Sequence, residues 1–117
     1  VLAEKLKNIL NVNIETNKFA VSNAQDNVYV LNIDKIKPDY NTTYYNYDLF
    51  FISQNIGELQ DKVKNTLGLL TTNKPSFIEQ NNLKDFNVLD VDFNYEGKFI
   101  AVFKLEIQIL NNNYEFI

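Results

Sequence analysis

The pattern of apolar and polar residues is clearest between Thr42 and Leu70, where a strand pattern passes directly into a helix pattern. From Thr42 to Ser53 the chain is rich in aromatic and β-branched residues, which suit a pleated surface. One face of this strand is apolar throughout, whereas the other is polar at first and apolar at the far end. We therefore expect the far end of the strand to be covered on both sides.

The helix prediction rests on one apolar stripe with spacings of three and four, formed by Ile56, Leu59, Val63, Leu67 and Leu70. Asn55 occupies the position of an N-cap, and Glu58 follows three residues later, as in a capping box. Because proline cannot continue a helix, the sequence predicts that this helix ends between Thr71 and Pro75. The following segment, residues 76–84, fits either a short strand or a loop over the core.

Shorter patterns predict the rest of the fold. The remaining elements are a helix at Val1–Leu10, a short strand at Phe19–Val21, a clearer strand at Val28–Ile36, and a hairpin formed by Phe86–Tyr95 and Lys98–Leu110. The resulting order is α-β-β-β-α-β-β, and consecutive strands joined by tight turns imply a mainly antiparallel sheet with two helices on it. The sequence thus predicts an α+β fold, with residues 1–117 forming a single domain.

Composition then narrows the function classes. The net charge is −4, and all eleven basic residues are lysine, which argues against a nucleic-acid partner that arginine forks would bind. Cysteine and histidine are both missing, so a disulfide framework, a zinc finger, a thiol nucleophile and a histidine base are excluded. No apolar run approaches the roughly 20 residues that span a bilayer. We expect no enzyme activity, no cofactor and no membrane partner.

Two local patterns offer candidate chemistry. Asp90 and Asp92 share one face of a predicted strand, and Glu96 follows at the turn, so these hard oxygen ligands are weak candidates for a Mg²⁺ or Ca²⁺ site. A solvated strand face produces the same spacing routinely and is the favoured interpretation. A tyrosine cluster is the second pattern, formed by Tyr40, Tyr44, Tyr45 and Tyr47. Tyrosine is enriched at protein interfaces, so we expect some of these rings to face the core and some a partner.

The order α-β-β-β-α is also that of a double-stranded-RNA-binding domain. Such a domain needs a basic N-terminus on its second helix. Here that helix begins with the acidic sequence Asn55-Ile56-Gly57-Glu58-Leu59, and two further strands follow it. The sequence therefore argues against RNA binding.

In its order of elements the chain resembles the tail terminators of tailed phages, also called tail completion or head–tail joining proteins. The resemblance extends from Val1 to Leu110. It is carried mainly by YNYDLFFISQNIGELQDKV (Tyr45–Val63), a long strand that enters a capped helix, and by NVLDVDFNYEGKFIAVFKLEIQI (Asn87–Ile109), a closing hairpin. The family has no catalytic motif, so no residue role is transferred to this chain.

The resemblance implies a structural role in the virion, with assembly in the host cytoplasm. Subunits would form a homo-oligomeric ring of about six copies on the head-proximal end of the tail tube. That ring would end tube polymerisation and dock to the head connector, so tail tube and neck proteins are the expected partners. Under this hypothesis polar and aromatic residues outside the periodic core contact neighbours, namely Ser22, Asn23, Gln25, Asp26, Pro38, Tyr40, Tyr44, Tyr114 and Phe116.

Two alternatives stay open at this point. One is a small non-enzymatic adaptor or immunity-type domain of the same build, which would bind a single soluble partner and form no ring. The other is a small enzyme that uses Asp90, Asp92 or a tyrosine, and stabilisation by Mg²⁺ or Ca²⁺ would favour it.

Overall fold

The structure, a computed structural model, describes residues 2–16 and 28–110, apart from the side chain of Val28. Within these residues two helices and five strands follow one another in the predicted order, which confirms the α+β class. The elements are α1 (Leu2–Leu10), β1 (Ile14–Thr16), β2 (Val28–Pro38), β3 (Thr42–Ser53), α2 (Ile56–Gln80), β4 (Asp85–Tyr95) and β5 (Phe99–Leu110).

All five strands form one sheet, in the order β1-β2-β3-β5-β4. Only β1 is parallel to its neighbour, and every other pair is antiparallel, so the sheet is mainly antiparallel as predicted. β3 has the bounds that the sequence indicated, and it lies between β2 and β5 at the centre of the sheet. Strand β5 is inserted between β3 and β4, so the closing hairpin joins the sheet through its second strand.

The first strand is a short one at Ile14–Thr16, which pairs with Tyr29–Leu31 of β2. The sequence analysis did not predict it, because three residues are too few for a periodic pattern to emerge. The strand predicted at Phe19–Val21 lies outside the described residues.

The predicted end of the long helix is wrong, because α2 continues through Pro75 to Gln80. Pro75 has no backbone N–H, so the carbonyl of Thr71 loses its hydrogen-bond partner within the helix. Both residues are exposed to water. Packing in the last turns offsets this cost, since Phe77 is buried and its ring centroid lies 4.8 Å from that of Phe86 in β4. Residues 76–80 are therefore helical rather than a strand or loop.

Both ends of α2 are capped by asparagine. Asn55 Oδ1 accepts a hydrogen bond of 3.0 Å from the backbone N–H of Glu58, which confirms the predicted N-cap. At the other end Asn82 takes a left-handed conformation with φ of 52°, and the N–H of Leu83 donates to the carbonyl of Ile78. This is the Schellman arrangement, with asparagine in the position that glycine usually takes.

The main core lies between the sheet and the two helices. Its fully buried side chains come from both helices and from β3, β4 and β5: Leu6, Leu49, Phe51, Leu59, Leu70, Phe86, Phe103, Leu105, Ile107 and Ile109. One polar contact crosses this core, a 2.5 Å hydrogen bond between the Tyr29 hydroxyl of β2 and Thr66 Oγ1 of α2. Burial of Tyr29 raises the pKa of its hydroxyl, because burial disfavours the charged form.

The opposite face of the sheet, called the open face below, carries a second and smaller apolar cluster. Val30, Ile52 and Ile100 are buried there, and Phe50 and Val102 pack against them. Because Phe51 is buried on the helix side and Ile52 on the open face, the far end of β3 is covered on both sides. This confirms the expectation drawn from the alternation in that strand.

Two strands carry a one-residue β-bulge. In β2 the register shifts between Ile33 and Lys35, so Asp34 is the extra residue. In β4 it shifts between Val88 and Asp90, so Leu89 is the extra residue. Because the extra residue has no partner on the neighbouring strand, the alternation of side chains between the two faces is offset by one residue beyond each bulge.

Candidate functional site

The turn between β2 and β3 presents the most exposed aromatic ring of the described residues. Tyr40 is 96% exposed. Its backbone N–H donates to Asp39 Oδ1 at 2.8 Å, and the N–H of Asp39 donates to the carbonyl of Thr42 at 2.8 Å. Pro38 ends β2 immediately before this turn and is also exposed. The turn therefore exposes an aromatic ring to solvent, and a residue that contacts a partner must be exposed in the single chain.

The predicted tyrosine cluster divides between the two faces of β3. Tyr45 is buried in the main core, and Tyr47 packs against it, where burial is the main cause that raises the pKa of the Tyr47 hydroxyl. Tyr44 lies on the open face, where its cross-strand neighbours are Lys37 and Gln108. Tyr44 is half-buried, so it offers part of its ring at the surface.

The other predicted interface residues are not located by the structure. Ser22, Asn23, Gln25 and Asp26 lie outside the described residues, as do Tyr114 and Phe116. Their role in contacts with neighbours stays a prediction.

The three carboxylates proposed as weak metal ligands do not form a binding cluster. Asp90 and Asp92 are exposed on the open face of β4, opposite Lys104 and Val102 of β5. Asp90 Oδ1 accepts from the next backbone N–H at 2.8 Å, and Glu96 lies in the hairpin turn near Asn94. Across residues 2–16 and 28–110, no three His, Cys, Asp or Glu side chains come together in a way that could hold a metal ion.

An ion pair occupies the middle of the open face. Lys104 Nζ lies 3.0 Å from Asp48 Oδ1, although that oxygen is not aligned for a full hydrogen bond. Asp48 is the main cause that raises the pKa of Lys104, with smaller contributions from the negative charges of Asp34 and Asp92, while burial acts in the opposite direction. The Oδ1 of neighbouring Asn46 is buried and, within the described part of the chain, accepts no hydrogen bond.

A cleft of about 400 Å³ lies between α1 and α2. Its lining is mostly amide and hydroxyl side chains with one lysine, and it includes Asn8, Ile9, Asn73, Ser76 and Phe77. The lining residues contain no carboxylate and no histidine, so the cleft lacks the acid–base pair of a typical hydrolytic site. Nothing in this geometry points to catalysis there.

Large apolar side chains are exposed at the two long margins of the sheet instead. On β4, the outermost strand at one margin, Leu89, Phe93 and Tyr95 are 56–63% exposed. Near the other margin Ile33 and Ile36 of β2 are each 54% exposed. The sequence does not reveal these sites, because their exposure follows from the order of strands in the sheet.

A signal for both bulges was present in the sequence. In β2 the apolar positions run Tyr29, Leu31, Ile33 and then Ile36, a step of three in a pattern of twos. In β4 they run Phe86, Val88 and then Val91, with the same break. Such a step is what one extra residue produces in a strand, and bulges are common at sheet edges.

No family model matches this chain, and neither does any curated protein sequence. No helix of the described residues is long and apolar enough to cross a membrane. The function of this chain is therefore inferred from its residues and from their arrangement at the two margins of the sheet.

Proposed function

We propose that this protein is a structural subunit of a phage, or of a phage-derived particle. In this role it forms a ring that caps the head-proximal end of the tail tube. The ring ends tube polymerisation and provides the surface on which the head connector docks. No step of this function requires a catalytic residue or a cofactor.

One observation carries the proposal: apart from Tyr40, the large apolar side chains of the described residues that are more than half exposed lie at the two long margins of one sheet. A subunit of a ring must bind two neighbours through two different surfaces, and opposite margins of a sheet supply such a pair. Leu89, Phe93 and Tyr95 occupy one margin, while Ile33 and Ile36 lie near the other. A binding module with a single partner needs only one such surface.

The architecture supports the same role. The order α-β-β-β-α-β-β, the long strand β3 that enters α2 through the Asn55 cap, and the closing hairpin are the features in which the sequence resembles tail terminators. The cleft between the helices lacks a catalytic pair, and the exposed Tyr40 ring lies on a turn at the end of the sheet. An assembly protein uses such rings as anchors in an interface.

The test is tube capping. The protein is mixed with the polymerising tail tube protein encoded near its gene, and the products are examined by negative-stain electron microscopy. We expect shorter tubes, each with a ring at one end, and a tube length that falls as the ratio of this protein to tube protein rises. Unchanged tube length together with bare tube ends would overturn the proposal.

Tyr40→Ala supplies a second arm of the same experiment. Tyr40 is almost completely exposed, so its removal is expected to change folding stability by less than about 0.5 kcal/mol. If the ring contacts the tube or the connector through this turn, the variant forms rings that cap tubes less efficiently. Tyr44→Ala, on the open face of the neighbouring strand, tests whether the contact extends onto the sheet.

The runner-up is an adaptor or immunity-type domain that binds one soluble partner. The lone, nearly fully exposed ring of Tyr40 favours it, since small binding modules often anchor a partner with one aromatic residue. Affinity capture that yields a single partner in a one-to-one complex, with no ring at any ratio, would favour this function over the first.

A further inference from the structure

Among the described residues, the β4 margin of the sheet is an unpaired edge along its whole length. β4 ends the strand order, and among the described residues no strand pairs with its outer side over Asp85–Tyr95. Its exposed apolar residues alternate with the carboxylates of Asp90 and Asp92. An exposed edge of this length offers a row of backbone donors and acceptors to another strand.

The β2 margin is only half covered. β1 pairs with Tyr29–Leu31 and stops there, so within the described part of the chain no strand pairs with the outer side of Ile33–Pro38. This stretch exposes Ile33 and Ile36, and its charged residues, Lys35, Lys37 and the bulge residue Asp34, are all exposed. Among residues 2–16 and 28–110 the sheet therefore has two unpaired edges of different composition.

From these two edges we infer that copies of this chain associate head to tail, with Ile33–Pro38 of one copy added to β4 of the next. The inference deepens the proposed function by naming the interface between subunits, and it rests on that function only for closure into a ring. The charges favour this pairing, because Asp90 and Asp92 repel a second β4 edge, and Lys35 and Lys37, which outnumber Asp34 on their stretch, repel a second β2 edge. Each edge thus discourages a copy of itself and attracts the other.

Strand direction agrees with this assignment. β2, β3, β5 and β4 lie side by side and are antiparallel at each step, so β4 runs opposite to β2. A second copy placed in the same orientation beside the first brings its β2 against β4 in antiparallel fashion. The joint continues the pairing pattern of the sheet, and it uses two different surfaces, as a ring or a helical assembly requires.

The charged residues that follow the two bulges set the register of the joint. Regular strand begins at Lys35 after the bulge in β2 and at Asp90 after the bulge in β4. An antiparallel pairing that sets Lys35 opposite Asp92 also sets Lys37 opposite Asp90. Both charge pairs then lie on the open face, because the cross-strand neighbours of these four residues lie there: Asn46, Tyr44, Lys104 and Val102.

The same register completes an apolar contact on the other face. Ile36 of one copy comes opposite Val91 of the next, on the side of the sheet that carries the helices. Leu89 and Phe93 flank this pair on β4 and are more than half exposed in the single chain. Cross-strand apolar and opposite-charge pairs are the interactions that stabilise neighbouring strands.

Charge reversal tests the interface. Lys35→Glu/Lys37→Glu makes both edges acidic, and Asp90→Lys/Asp92→Lys makes both edges basic. Sedimentation velocity over a concentration series is expected to show self-association of the wild type, and at least about a tenfold weaker association for each double variant. An equimolar mixture of the two variants is expected to regain association, and the quadruple variant is expected to associate with itself.

Matched control variants carry the same change in net charge at positions away from the two edges. Lys7→Glu/Lys64→Glu and Asp61→Lys/Glu79→Lys replace exposed residues of the two helices, and neither pair of substitutions is expected to alter association. Circular dichroism melts of all variants show that each one is folded. Raising the salt concentration is expected to weaken the wild-type assembly, because exposed charge pairs are screened.

The outcomes separate this inference from the function on which it builds. A wild type that stays monomeric up to about 1 mM, or a mixture of variants that fails to associate, overturns the edge pairing. If such a protein still caps tail tubes, the proposed function stands and the ring uses another interface. If the edges pair as expected but tubes are not capped, the interface stands and the tail role is wrong.

Discussion

The two faces of the sheet are built in different ways from the same strands. On the helix side, apolar residues follow one another along β3 and β5 with no polar interruption from Tyr45 to Phe51 and from Ala101 to Ile109. On the open face the apolar cluster occupies one end, and the Asp48–Lys104 ion pair occupies the middle. One face therefore holds the fold together, while the other combines a small apolar patch with charges.

The two faces therefore differ in what they contribute to folding stability and to surface contacts. The helix side buries large side chains, whose transfer out of water is the main favourable term in folding. The open face buries fewer, and its central charges are costly to remove from water unless they stay paired. Substitutions on the first face should report on folding, and those on the second on local electrostatics and surface contacts.

Two adjacent phenylalanines of β3 are expected to show the largest difference in stability between the two faces. Phe51 is 1% exposed on the helix side, with its ring centroid 4.9 Å from that of Tyr29. Phe51→Ala is expected to lower the free energy of unfolding by about 3–5 kcal/mol, through lost burial and a cavity. Urea unfolding followed by circular dichroism measures the loss.

Phe50→Ala is the matched variant on the open face, one residue away. Phe50 is only partly buried and packs against the small cluster, so the expected loss is about half as large or less. Equal losses for the two variants would mean that both faces contribute alike to stability, and the proposed difference between the faces would be wrong.

The ion pair gives the next effect in size. Lys104→Met leaves the largely buried carboxylate of Asp48 without its cation, and we expect a loss of about 2 kcal/mol in unfolding free energy. Lys64→Met, an exposed lysine on α2, serves as the control and is expected to stay within about 0.5 kcal/mol of wild type. Adding Asp48→Asn to Lys104→Met should recover part of the loss, since no unpaired charge then remains.

The pH dependence of the same pair has a defined sign. The folded-state pKa of Lys104 is raised above its ordinary value of 10.5, so its contribution is complete below that pH and is lost as the pH rises through the folded value. The difference in stability between wild type and Lys104→Met should therefore shrink in alkaline solution. Tyr29 and Tyr47 titrate in both proteins and cancel from the difference.

A smaller effect is expected from the hydrogen bond that crosses the main core. Tyr29→Phe removes one partner and leaves the Thr66 hydroxyl buried, at a cost of about 1 kcal/mol. Adding Thr66→Val removes the second hydroxyl as well, and the double variant is expected to be at least as stable as Tyr29→Phe. A double variant that is clearly less stable would show that Thr66 contributes through packing rather than through this bond.

The smallest effect concerns Asp85, at the start of β4. Its pKa is lowered mainly by a 2.9 Å hydrogen bond from the Asn87 amide, with help from the Phe86 N–H and Lys74, against the opposing effect of burial. The ionised Asp85 carboxylate therefore stabilises the folded state fully above its ordinary pKa of 3.8. This stabilisation is lost as the pH falls through the pKa that Asp85 has in the folded state.

Because this side chain is well exposed, we expect Asp85→Asn to cost less than about 1 kcal/mol at neutral pH. The difference in stability between Asp85→Asn and wild type should disappear in acid. Thermal melts between neutral and strongly acidic pH measure it, and a gap that widens in acid would contradict the sign of the pKa shift.

Periodicity alone predicted most of the fold. The β3 bounds, the N-cap at Asn55 and the apolar row of β5 follow from spacing and side-chain chemistry, because burial of one face imposes a regular pattern. The end of α2 did not follow, because the contact of Phe77 with Phe86 joins residues on different elements and outweighs the local effect of Pro75. The Asn81-Asn82 pair was the local stop signal.

The candidate site was only partly predictable. Tyr40 and Pro38 were chosen because they stand in a polar turn, and the structure does expose both. The edge residues Ile33, Ile36 and Leu89 are apolar, and nothing in their sequence context distinguishes them from core residues. Whether a strand lies at an edge depends on the order of strands in the sheet, which a one-dimensional pattern does not contain.

The insertion of β5 between β3 and β4 has a consequence for synthesis of the chain. β5 follows all the other described strands in sequence, yet it pairs with two of them, including β3 at the centre of the sheet. Until Phe99–Leu110 leaves the ribosome, one side of β3 and the whole of β4 lack their neighbour. A nascent or truncated chain thus exposes an aromatic-rich strand, and protection of that strand by chaperones during translation becomes important.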